Sequence, residues 1–123
     1  MNAQFNDQLF DLSYLNQIFQ GNKEMVNNII KLFLEQVPEY IEEMQECVDR
    51  NDLLSLHPLA HKAKSSVAML GLKNMETSII QIEQDSKHNR NLDTLPNLVG
   101  SVKCECDLVY AQLRELLNTS NAA

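Results

Sequence analysis

The chain has 123 residues, 44% of them apolar, and a formal net charge of −7. That length suits one domain around one core, and the acidic balance argues against binding nucleic acid or an anionic membrane surface, which need clustered Lys and Arg. Three glycines and three prolines are too few for a turn-rich sheet fold, and neither a membrane-length apolar run nor a signal peptide is present, so a cytoplasmic chain is expected.

Five helical segments follow in order. The first spans about 11–20, with Asp11 or Ser13 as cap, Gly21 as stop, and Leu12, Leu15, Ile18 and Phe19 as apolar positions. The second spans about 23–50. Its Val26, Ile30, Phe33, Val37, Ile41, Met44 and Val48 recur in steps of three and four and form one stripe. Pro38 lies inside that stripe and should bend the helix, because it removes a hydrogen bond and crowds the preceding turn. The third spans about 52–70, capped by Asn51 or Asp52 and closed by Gly71, with Leu56, Leu59, Ala60, Ala63, Val67 and Leu70 inward. Pro58 should kink its first turn or leave it separately wound.

The fourth segment spans about 73–87, with Leu72, Met75, Ile79 and Ile82 inward and a polar turn at 88–93. The fifth starts near Thr94, a good cap, with Pro96 in the permitted first turn. Its stripe is Leu95, Leu98, Val102, Cys106, Val109, Leu113 and Leu116, and the small polar tail 118–123 is expected to fray. Four long amphipathic helices with short connections predict an all-α fold: an antiparallel four-helix bundle with a short additional N-terminal helix. A single domain is expected over 1–123, with its helical core over about 11–117. Cys47, Cys104 and Cys106 are an odd set that reads as reduced thiols. Cys104 and Cys106, two apart, fall on different helix faces and make a poor zinc pair.

The chemistry concentrates in residues 60–72, AHKAKSSVAMLGL. On a helix of about 100° per residue His61 points away from the stripe centred near Leu56, Ala63 and Val67. His57 and Ser65 lie one turn either side of it, with Lys64 and Ala68 beside them. An exposed imidazole, small neighbours that leave in-line access, and an ammonium within reach suit phosphoryl transfer through histidine, where negative charge on the equatorial oxygens needs a cation. A neutral imidazole is the nucleophile. Taken alone, an exposed histidine on a helix is more often an ordinary surface residue. His57 and His61 lack a third metal ligand, and no Glu-x-x-His motif of a carboxylate metal bundle is present. Lys62 reads as a solvated flank residue.

A His, a Lys three on, small residues next and a Gly ten on, here His61, Lys64, Ser66 and Gly71, resemble the signature of the histidine-containing phosphotransfer (HPt) domain family. The helix plan over about 11–117 resembles that family too. The resemblance implies a phosphoryl carrier. His61 would accept a phosphoryl group from a receiver-domain phospho-aspartate and pass it to another receiver aspartate. Lys64 would stabilise the phosphoryl charge. A polar residue of the following helix would orient the ring, and Glu83 is the expected one, ahead of Gln84. One departure stands out: the family usually has Gly after the Lys, and this chain has Ser65. Its hydroxymethyl group either crowds the phosphoryl group or donates a hydrogen bond to it. Leu54, His57 and Ala68 are the expected docking positions, Leu54 because an apolar residue on that face costs solubility.

The implied partners are response-regulator receiver domains and a hybrid histidine kinase, with magnesium held by the receiver and no cofactor in this chain. A monomer is expected, and no Gly-rich phosphate loop supports an ATP-dependent kinase activity. Met1 and the lack of a linker favour a free-standing shuttle. The rival reading is an HPt-like bundle that has lost transfer and serves only as a protein-interaction module, with Ser65 as its best support.

Overall fold

In the computed structural model, which describes residues 8–122 and the side chains of 8–119, five helices form: α1 Ser13–Ile18, α2 Lys23–Asp49, α3 Leu53–Met69, α4 Lys73–His88 and α5 Leu95–Ala122. Their starts follow from local chemistry. Asn22 accepts from the Met25 amide at the head of α2, and Asp52 accepts from the Ser55 amide at the head of α3. Each side chain satisfies a backbone donor that the first helical turn leaves without a partner. The stops are left-handed residues. Asn51, Gly71 and Asn89 all have positive φ, which Gly adopts freely and Asn tolerates.

The four long helices are an antiparallel bundle. α2 packs on α3, α3 on α4, α4 on α5, and α5 returns to α2. One contiguous apolar core fills the centre, built from Ile30, Val37, Ile41 and Met44 of α2, Leu56, Ala63 and Val67 of α3, Met75, Ile79 and Ile82 of α4, and Val99, Val102, Val109 and Leu113 of α5. α1 and the segment before it cross one end. There the Asp11 amide donates to the Leu70 carbonyl at 2.9 Å, and the Leu9 amide donates to Gln112 Oε1 at 2.9 Å.

Several expectations need correction. α1 is shorter than 11–20: Asp11 accepts from the amide and hydroxyl of Ser13 and so makes a turn ahead of the helix. Ile18 is exposed and only Leu15 of that helix is fully buried. α3 is not wound in two pieces. It is continuous through Pro58, whose missing N–H leaves the Leu54 carbonyl, on the exposed side, without its helical donor. In α5, Val99 and Leu117 are buried while Leu98 and Leu116 are half-buried, so the stripe lies one residue along from the expected one at both places. The segment expected to fray is helical through Ala122. Thr119 donates its hydroxyl to the Glu115 carbonyl at 2.9 Å, a bond that a helix accommodates. Among the described residues, no helix is long and apolar enough to cross a membrane.

Candidate functional site

The site lies halfway along α3, where the buried face of Ala60, Ala63 and Val67 fixes the helix against the core. That packing turns His61 outward, and its side chain is 66% exposed. One ring nitrogen is nevertheless held. His61 Nδ1 lies 2.6 Å from Glu83 Oε2 on the neighbouring α4. Lys64, one turn along α3, donates to the other carboxylate oxygen, Oε1, at 2.8 Å. A single carboxylate therefore bridges the imidazole and the ammonium, which leaves Nε2 as the ring nitrogen turned to the open side.

Glu83 is only 7% exposed in its side chain, whereas Lys64 is 32% exposed. Burial by itself would raise the Glu83 carboxyl pKa. The hydrogen bonds from Lys64 and His61, and then their charges, outweigh burial and hold it below the ordinary glutamate value. The group is thus an anion at neutral pH, and its position on α4 follows from Ile79 and Ile82 entering the core just before it. The sequence places Glu83 beside that stripe. The shared bond with Lys64 runs between two helices, and no spacing within α3 announces it.

The other expected positions divide. Ser65 and Ala68 are exposed one and two turns beyond His61, on the C-terminal side. Leu54 is 90% exposed, the most exposed large apolar side chain of those described. It borders a shallow groove between α2 and α3 whose walls include Glu43, Glu46, Pro58 and Lys62. Lys62 leans toward α2, with its ammonium 5.8 Å from the centre of the Tyr40 ring. His57 does not share the open face fully: it is half-buried, and its Nδ1 is enclosed without a hydrogen-bond partner. Seven residues before Lys64, it shares that residue's side of the helix, the side that meets Glu83 of α4.

Gly71 belongs to the site's sequence pattern but sits at its edge. With φ +64° it closes α3 in a Schellman motif: the Gly71 amide donates to the Ala68 carbonyl and the Leu72 amide to that of Val67. A Cβ on Gly71 would stand 2.6 Å from the Asp11 carbonyl oxygen, so the N-terminal segment passes directly over it.

A second buried acid was not apparent from the sequence. Asp85, on α4, is buried, and its Oδ1 accepts from Gln81, Arg90 and Asn91. Burial raises its pKa, but these donors and the Arg90 charge bring it below the ordinary aspartate value. It ties the α4–α5 turn to the helix. Its signal was local, an acceptor within six residues of three donors. Among the described residues no group of three or more His, Cys, Asp or Glu side chains is arranged to hold a metal ion. All three cysteines are free thiols, Cys47 and Cys106 buried and Cys104 exposed.

The family model described as Hpt domain matches residues 28–123. Among solved structures, the chain is similar to the HPT domain from the Hpt sensor hybrid histidine kinase from Shewanella. The TM-score is 0.79 at 16% identity, covering 90% of this chain and 95% of that one. No curated protein matches the sequence significantly.

Proposed function

The chain belongs to the Hpt domain family, whose role is phosphotransfer in phosphorelays, and on that premise we propose that His61 is its phosphoryl-accepting residue. The observation that carries the reading is the exposed imidazole whose Nδ1 is held by a buried carboxylate at 2.6 Å, with Nε2 left toward solvent. A neutral imidazole held by Nδ1–H in this way has its nucleophilic lone pair on Nε2. Orientation by Glu83 reduces the rotational freedom that the ring would otherwise lose in the encounter.

In the proposed reaction a receiver bearing a phospho-aspartate docks on the α3 face. His61 Nε2 attacks the phosphorus, the acyl phosphate bond breaks, and the aspartate leaves as a carboxylate. The reverse step onto an aspartate of a second receiver completes the relay. Lys64, one turn from the ring, supplies positive charge to the phosphoryl oxygens, and the Ser65 hydroxyl, exposed one turn beyond His61, donates a hydrogen bond to them. The receiver brings the magnesium ion, and this chain acts as a carrier without ATP-dependent kinase activity. Leu54, with Ala68 on the far side of His61, forms the apolar part of the docking face. A hybrid histidine kinase and receiver domains are the proposed partners. Incubation with a phosphorylated receiver, with His61→Gln alongside, separates this reading from a silent interaction module. Transfer to wild type and none to the variant supports it, while binding without transfer in both favours the module.

A further inference from the structure

In the structure Lys64 does not point free into the site. It shares Glu83 with His61, and when the imidazole is in its nucleophilic, neutral form the three groups together carry one negative and one positive charge. Adding a phosphoryl group at Nε2 changes that balance. When neutral imidazole with a proton on Nδ1 attacks phosphorus, no proton has to leave. The product is an Nε2-phosphoimidazolium that keeps the Nδ1 proton and carries the positive charge on the ring. Two to three new anionic oxygens then stand within reach of Lys64, while Glu83 faces a cationic ring instead of a neutral one.

Resting on the reading of His61 as phosphoryl acceptor, we propose that Glu83 is a positioning residue that sets the lifetime of the phosphohistidine. Its carboxylate keeps the phosphorylated ring protonated on Nδ1, while Lys64 exchanges Glu83 for the phosphoryl oxygens. Retention of that proton decides how easily the N–P bond breaks. From the protonated ring the electron pair returns to Nε2 and neutral imidazole leaves. From the deprotonated ring the leaving group would be an imidazolide anion, a far poorer one. A buried carboxylate at 2.6 Å holds the proton, because a hydrogen bond between charged partners at low exposure is strong. Glu83 thereby favours onward transfer over storage.

The surroundings support a private pair. The hydrogen bonds and charges that hold Glu83 ionised come from Lys64 and His61, both on α3. Near the ring on α3, Lys62 is turned to Tyr40 of α2 and lines the groove with Glu43, and His57 is half-buried a turn earlier. Neither group replaces the carboxylate at Nδ1.

The test loads the full chain with phosphoramidate, a small donor that needs no receiver, and follows phosphohistidine by phosphorus NMR between pH 6 and pH 9. Wild type, Glu83→Gln and Lys64→Gln are compared. Glutamine keeps the shape of Glu83 and removes its charge. The expected result is a wild-type lifetime nearly flat across the range. In Glu83→Gln the lifetime lengthens as pH rises and is about tenfold or more longer at pH 8, the worth of one hydrogen bond to a charged group. Lys64→Gln should lower the yield and leave the shape of the pH profile as in wild type. Superimposable profiles for wild type and Glu83→Gln overturn the proposal. Should Glu83→Gln not fold, nitrogen NMR of the labelled wild-type phosphoprotein decides alone: Nδ1 protonated at pH 8 supports it, and Nδ1 deprotonated overturns it. Failure of phosphoramidate to label His61 in the wild type is a different outcome, which overturns the phosphotransfer reading and this inference with it.

Discussion

Replacing Gly71 with alanine separates the structural part of the sequence pattern from its chemical part. Gly71 lies ten residues beyond His61, about 15 Å along the α3 axis. Its backbone is left-handed at φ +64°, and an added Cβ would lie 2.6 Å from the Asp11 carbonyl oxygen and 2.7 Å from the Asp11 Cβ. The obstacle is largely backbone and cannot swing aside. Forcing an L-residue into the left-handed region costs roughly 1–2 kcal/mol. Pushing the N-terminal segment away sacrifices the Asp11 amide bond to the Leu70 carbonyl, worth about 0.5–1.5 kcal/mol. With some loss of packing beneath that segment, Gly71→Ala should destabilise the fold by about 2–4 kcal/mol, or roughly 6–20 °C in Tm for a chain of this size. The assay is thermal unfolding by circular dichroism, beside phosphotransfer measured well below the melting point. Transfer should proceed at close to the wild-type rate. An unchanged Tm, or transfer lost while the fold is intact, would refute the assignment of Gly71 to the joint between α3 and the N-terminal segment.

Three further outcomes follow from the same geometry. Lys64→Ala should lower phosphohistidine yield and also reduce stability by about 1–3 kcal/mol, read as a lower denaturation midpoint, because it leaves the buried Glu83 carboxylate with His61 as its one remaining partner. Stability should fall as pH drops below about 4. Glu83, Asp85, Asp11 and Asp52 all have depressed values in the fold, so the unfolded chain binds more protons there, and denaturant midpoints should decline steadily with acid rather than rise. Leu54→Ser should leave Tm within about 1 °C of wild type, since the side chain is 90% exposed. It should weaken transfer from a receiver several-fold through KM, measured by initial rates against receiver concentration, with labelling by a small phosphodonor unaffected.

The sequence made the bundle legible where apolar residues stand singly among polar ones. The α2 stripe of Val26, Ile30, Phe33, Val37, Ile41 and Met44 fits only one helical face, and all six are buried, whereas Val48, expected at its end, is half-buried and its neighbour Cys47 takes the core position. Legibility failed where apolar residues come in pairs. Leu98–Val99 and Leu116–Leu117 satisfy either of two registers, and packing against α2 and α4 chooses the second member each time. Composition also misled at the C-terminal end, since small polar residues do not stop a helix when one of them, Thr119, returns its hydroxyl to the backbone. Pro58 did not divide α3: its missing N–H removes the one helical bond to the Leu54 carbonyl, within a turn of the helix start, and the helix runs on from Leu53 to Met69. At the site, the outward turn of His61 could be read from the angle between it and Ala63. Glu83 lay beside an inward stripe and was visible as a candidate. Its double engagement depends on how closely α3 and α4 approach, which no single-helix pattern encodes. The enclosure of His57 and the Asp85 network depend in the same way on neighbours brought in by the fold and by the α4–α5 turn.

The central claim is that His61 carries the phosphoryl group, and the position of the label is its most direct measurement. The chain is incubated with a phosphorylated receiver domain, and the phosphorylated product is mapped by fragmentation under conditions that spare the N–P bond. The account predicts one labelled residue, His61, with phosphorus on Nε2, and complete loss of label in His61→Gln at an unchanged melting temperature. Label on His57 or His88, or label that persists in a folded His61→Gln variant, would contradict it.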